Sequence, residues 1–143
     1  MRRKIISFAA VPASLILTFS PSVTAQDEKL LKAINNVSYE LASCAAYYNV
    51  VAACLKVSNF DEKTISFYRN LSGKAFDRSF ELGKIAGISL DAQESRFKAE
   101  TSDQMKMINN SCVNYSSLRV RFETKCEALL TDVRQAVETE RKK

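Results

Sequence analysis

Residues 30–55 read LLKAINNVSYELASCAAYYNVVAACL and set Leu30, Ile34, Val37, Leu41, Cys44, Tyr48, Val51 and Leu55 at alternating steps of four and three. That period belongs to an α-helix with one apolar seam. Cys44 and Cys54 lie on or beside the seam, so the segment that packs against it is expected to be bonded to it as well. The helix is expected to begin near Gln26 or Asp27, where Asp27 and Glu28 meet the positive end of its dipole, and to end near Val57.

Ser58, Asn59 and Asp61 then form a polar turn in which Ser58 or Asn59 can cap a second helix. That helix, about 61–86, carries Ile65, Tyr68, Leu71, Ala75, Ser79, Leu82 and Ala86 on its seam, with Phe67, Phe76 and Phe80 beside it. Gly73 within it marks either a close helix contact or a weak point, and Gly83 and Gly87 loosen and end it. Ser89 is placed to cap a third helix from Leu90, whose apolar members are Phe97, Met105, Ile108, Cys112, Tyr115, Leu118 and Phe122. Asn109 to Ser117 is rich in poor helix formers, yet the period favours continuity through it. Cys126, Leu129, Leu130, Val133 and Val137 resume on a phase different from Phe122, which predicts a kink near 122–125 and a final helix. Both prolines fall before residue 25 and the chain has three glycines, so no strand pattern survives. The fold class is all-α, an up-and-down bundle of three to four helices.

Met1, Arg2, Arg3 and Lys4 precede a mostly apolar run from Ile5 to Phe19, and Val23, Thr24 and Ala25 are small residues ahead of Gln26. This is the pattern of a cleaved secretory signal peptide over 1–25, followed by a single helical domain over 26–143. A membrane anchor is disfavoured by the shortness of the run and by Pro12 and Pro21. Removing 1–25 lowers the net charge from +5 to +2. A nucleic-acid role then loses its compositional support, and the mature chain carries no integral membrane segment. The expected compartment is the bacterial periplasm, with secretion as the alternative.

Cys44, Cys54, Cys112 and Cys126 all follow the signal, and two disulfides are the default for four cysteines in an oxidising compartment. Cys-x9-Cys and Cys-x13-Cys spacings, without any histidine, argue against zinc. Along an intact helix Cys44 and Cys54 stand about 15 Å apart, beyond disulfide reach, so each early cysteine should bond a late one. If helices one and three run parallel, the favoured pairs are Cys44 with Cys112 and Cys54 with Cys126. The crossed scheme, Cys44 with Cys126 and Cys54 with Cys112, is the alternative.

The lack of histidine removes the commonest general base, the histidine-dependent nucleophile pairs and the axial haem ligand. No catalytic, metal or cofactor-binding residue is therefore assigned, and no cofactor is expected. Met105 and Met107 face roughly opposite ways on a helix, and Tyr47 and Tyr48 read as packing. Glu94, Glu100 and Asp103 read as a solvated face, and the Asn-x-Ser sequons at Asn36, Asn70, Asn109 and Asn114 as coincidental.

The run Glu40-Leu41-Ala42-Ser43-Cys44-Ala45-Ala46-Tyr47-Tyr48, with Cys54-Leu55 and Asn110-Ser111-Cys112, resembles uncharacterised small exported helical proteins of proteobacteria. The resemblance implies an exported helical fold and lends no site residues. The function expected is that of an exported, non-catalytic helical binding or accessory protein with an inhibitor, immunity-type or subunit role, its partner another protein. The alternative is a periplasmic chaperone or a small apolar-ligand carrier. The sequence leaves the binding surface and the oligomeric state open.

Overall fold

Helix α1 (Ala25–Val57) is the axis on which the other elements pack, in a computed structural model that describes residues 25–143. The signal-peptide segment lies outside the described residues except for Ala25, the first residue of α1. Around α1 stand α2 (Glu62–Ile85), α3 (Leu90–Met107), a 3₁₀ turn (Cys112–Asn114), α4 (Ser116–Thr131) and α5 (Val133–Arg141), with no strand among the described residues.

The seam of α1 is buried from Ile34 to Leu55, but so are Ala42, Ala45, Ala46, Tyr47, Val50 and Ala52, which lie off it. A helix covered on one side needs one apolar stripe, whereas one surrounded by neighbours must be apolar or small nearly all round. Ala42, Ala45, Ala46 and Ala52 carry that second message.

α2 runs antiparallel to α1, held by a reciprocal pair of bonds: Ser38 Oγ donates to the Ser79 carbonyl at 2.9 Å and Ser79 Oγ to the Ser38 carbonyl at 2.7 Å. The cap of α2 is Asp61, accepting from Thr64 N at 2.9 Å, while Asn59 takes φ 55° in the preceding turn. The cap expected at Ser58 or Asn59 thus moves to Asp61, because the chain needs a left-handed residue at Asn59 to reverse direction.

α3 is parallel to α1, shown by a ladder in which each partner advances by one helical turn. Arg96 Nη1 donates to Asn35 Oδ1 (3.1 Å), Tyr39 Oη and Ser43 Oγ donate to the two oxygens of Glu100, and Gln104 Nε2 donates to the Ser43 carbonyl (2.9 Å). Ser89 caps α3 as expected, through Ala92 N.

Two expectations fail after Met107. The third helix does not run on through Asn109: it ends at Met107, and Asn109 (φ 55°) and Asn110 (φ 53°) both take left-handed backbone, which asparagine tolerates at modest cost. No kink occurs at 122–125 either. Leu118, Phe122, Cys126 and Leu129 are in phase on one face of an unbroken α4, and the later break falls at Asp132, whose side chain caps α5 through Gln135 N at 2.9 Å. Cys112 and Cys126 therefore belong to a returning strip antiparallel to α1 rather than to the parallel third helix.

This reverses the cysteine pairing. The bonds are Cys44–Cys126 and Cys54–Cys112, with Cα separations of 5.4 and 5.0 Å, and the favoured pairs Cys44–Cys112 and Cys54–Cys126 are not formed. On an antiparallel strip the later cysteine of α1 meets the earlier cysteine of α4's side, as the crossed scheme requires.

Candidate binding surface

α2 and α4 both pack on α1 but hardly on each other, and the gap between them is a groove of about 440 Å³. Tyr48 of α1 lines it together with Phe67, Leu71, Lys74 and Arg78 of α2 and Glu127, Leu130 and Thr131 of α4. Arg78 spans the gap, its Nη1 donating to the Leu130 carbonyl. Beyond Arg78 a second hollow of about 430 Å³ continues between Glu81 and Leu82 on one wall and Asp132, Val133 and Arg134 on the other.

Aromatic rings run from α4 through α1 to α2 beside this groove. Phe122 stacks on Tyr47 (5.7 Å between centroids), Tyr47 meets Tyr48 (4.8 Å), Tyr48 meets Tyr68 (6.2 Å), and Tyr68 takes Phe67 edge-on (5.5 Å). Tyr47 and Tyr48 are packing residues, as expected, but both hydroxyls are buried with no hydrogen-bond partner among the described residues. Burial pushes the Tyr48 hydroxyl up to about 12, with Glu127 and Glu123 adding to it. Burial raises Tyr47 further still, helped by Glu123. A neutral phenol costs far less to bury than a phenolate, so both rings stay protonated at any physiological pH.

A second surface is the end of the bundle where α1 and α3 finish. Val57 at the end of α1, Phe60 on the turn after it, Met107 at the end of α3 and Val113 on the 3₁₀ turn are all exposed, and Cys54–Cys112 ties the last turn of α1 to that 3₁₀ turn. Charges of both signs surround them: Lys56, Asp61, Glu62 and Lys63, with the ion pair Lys106–Asp103 at 2.8 Å.

No protein-family model, curated protein or solved structure matches the chain. The residues themselves must carry any functional reading.

Among the described residues no group of three or more cysteines and carboxylates is placed to hold a metal, and all four cysteines are spent in disulfides. Met105 packs against the core while Met107 is exposed, so the two thioethers do not converge. Glu100 departs from expectation: it is half-buried on the ladder to α1 and accepts two hydroxyls, where a solvated face was expected. Asn36 donates to Glu140 at 2.9 Å and Asn114 to the Ile108 carbonyl at 3.2 Å, so two of the sequon amides hold the fold together. Gly73 has open space where a Cβ would stand, and the close helix contact is at Gly83 instead. Sequence reasoning missed the charged walls of the groove. The sequence offers only the heptad from Lys74 to Glu81 on α2, since Glu127 and Arg134 lie on different helices, α4 and α5, on either side of Asp132.

Proposed function

We propose that the chain is an exported, non-catalytic helical binding or accessory protein that docks another protein on the apolar end formed by Val57, Phe60, Met107 and Val113. The observation that carries this reading is that those four exposed side chains sit at one end of the bundle, where one disulfide clasps the end of α1 to the 3₁₀ turn after α3. Exposed apolar side chains are ordinary singly, but a group of them on a cross-linked frame has the character of a docking surface. The bond holds the two turns in place before a partner arrives, which lowers the ordering cost of association. The mixed charge around the patch suits a protein surface better than a polyanion. Absence of histidine from the whole chain supports a role in binding over catalysis.

Two disulfides are compatible with an oxidising compartment, and the basic, apolar and small-residue pattern of 1–25 supports export to a bacterial periplasm with cleavage before Gln26. N-terminal sequencing of protein from its own host tests this: a chain still beginning at Met1 in the membrane fraction refutes it.

Quantitative capture from a periplasmic extract tests the docking surface. Wild type and an Ile85→Ser control, altered at the opposite end of the bundle, should retain the same partner, whereas a Phe60→Ser/Val113→Ser variant with an unchanged helical spectrum should lose it. Retention of the same partner by the double variant overturns the assignment. The groove between α2 and α4 gives the carrier reading a foothold, but it lies open along one side, which favours a macromolecular surface over an enclosed small ligand.

A further inference from the structure

Arg78 bridges the groove between α2 and α4 to a backbone carbonyl, but on either side of it charges of opposite sign stand on the two walls without forming an ion pair. Lys74 faces Glu127 across the first hollow, and Glu81 faces Arg134 across the second. All four side chains are exposed, and among the described residues none has an ion-pair partner. One heptad before Lys74 stands Phe67, 57% exposed, and one heptad before Glu127 stands Val120, 90% exposed. Residues a heptad apart lie on nearly the same face of a helix. Because α2 and α4 are both antiparallel to α1 they are parallel to each other, which sets Phe67 level with Val120 and Lys74 level with Glu127, while Arg134, at the start of α5 beyond the break at Asp132, makes a third rung by facing Glu81 in the second hollow.

We propose that this face binds a second copy of the same chain, through a two-fold axis lying along the groove. Such an axis keeps each residue at its own level and lays α2 of one copy over α4 of the other. Lys74 then meets Glu127 of the second copy, Glu81 meets its Arg134, and Phe67 covers its Val120, with each contact made twice. A two-fold axis laid across the groove would instead set α2 on α2 and bring Lys74 and Arg78 towards their own counterparts. The opposition of unpaired walls is thus self-complementary in one arrangement, as an isologous interface requires. From Phe67 to Leu82 the wall is about 22 Å long, which is a small interface and implies a weak, concentration-dependent dimer.

Sedimentation of the oxidised full-length chain between about 1 µM and about 1 mM tests this, with circular dichroism confirming the fold of each variant. Wild type should move reversibly from monomer to dimer. Lys74→Glu alone and Glu127→Lys alone should each weaken association by about tenfold or more, since each creates two like-charge contacts. Mixing those two variants should restore it. In the mixed dimer the two substituted side chains face each other with opposite charge, and so do the unaltered Lys74 of one copy and Glu127 of the other. The second pair, Glu81→Arg with Arg134→Glu, should behave the same way. A wild type monomeric throughout overturns the proposal. So does a dimer indifferent to the swaps, or a mixture no tighter than its components.

Discussion

Cys126 lies 82 residues beyond Cys44 in the chain and 5.4 Å from it between Cα atoms, so their bond closes a loop that holds α2, α3 and the whole α3–α4 corner. The second bond, Cys54–Cys112, sits inside that loop and fastens the corner to the end of α1.

Access decides which bond yields first to a reductant. Cys44 and Cys126 are 1% and 0% exposed, whereas Cys112 stands partly exposed on the 3₁₀ turn beside two left-handed asparagines. Attack by a thiolate needs a reachable sulfur. Limited reduction followed by alkylation should give a first intermediate labelled at Cys54 and Cys112, read by peptide mass mapping. Label at Cys44 and Cys126 in that species would contradict the burial argument. Replacing Cys44, Cys126 or both by alanine should cost about the same, roughly 2 to 5 kcal/mol, because the second change removes no further bond.

Gly83 and Gln93 bring α2 and α3 into close approach. A Cβ on Gly83 would stand 2.3 Å from Gln93 Oε1, and Gln93 is only 2% exposed while it donates to the Ile88 carbonyl at 3.2 Å. Gly83→Ala gains helix propensity of about 1 kcal/mol but must displace a side chain with little room to move, at a cost of about 1 to 3 kcal/mol. The net change should therefore be destabilising. Adding Gln93→Ala should recover most of the loss, so a double-mutant cycle in urea should show coupling of about 1 kcal/mol or more. Additive effects would rule out the clash.

The two buried tyrosines predict an alkaline limit. Their folded-state values lie above the ordinary phenol value of 10.0, with Tyr48 at about 12. Between those two pH values the unfolded chain gives up protons that the folded chain keeps, so stability is full below about pH 10 and falls as pH rises through that window. Each tyrosine contributes a slope of up to about 1.4 kcal/mol per pH unit there. Thermal midpoints measured from pH 8 to 11.5 should drop above pH 10 for wild type and drop less for Tyr47→Phe/Tyr48→Phe. At pH 8 the same variant should lose little, since each hydroxyl it removes is buried without a partner. An identical alkaline slope in both proteins would show that other groups control the limit.

How much of this was legible follows from which residues speak locally. The α1 seam, the Ser89 cap and the parallel run of α1 and α3 are set by periodicity and short-range chemistry, and sequence reading reaches them. The reversal at Asn109 and Asn110 was not reached, because Ile108, Cys112 and Tyr115 happen to hold helical spacing across it while the two asparagines carry the turn. That single corner decides the cysteine pairing, since it turns the strip bearing Cys112 and Cys126 antiparallel to α1. The groove walls were hidden for a different reason: exposed Lys74, Glu81, Glu127 and Arg134 read as ordinary solvated charge until the gap between α2 and α4 sets them opposite one another.

Ser38 and Ser79 mark how closely α1 and α2 approach. Both are buried, at 1% and 3% exposure, and each hydroxyl donates to the other's carbonyl, so two small side chains satisfy themselves at the contact. Those carbonyls also lie within helices and keep their helical partners if the hydroxyls are lost. Ser38→Ala and Ser79→Ala should therefore each cost only about 0.5 to 1.5 kcal/mol, the net worth of a hydrogen bond without an orphaned group. Ser79→Leu should be worse than either, by about 1 to 3 kcal/mol, because the larger side chain must force the helices apart at the buried contact with Ser38. Urea midpoints ranked wild type, then alanine, then leucine would establish that close approach governs this contact, and a leucine variant as stable as the alanine one would refute it.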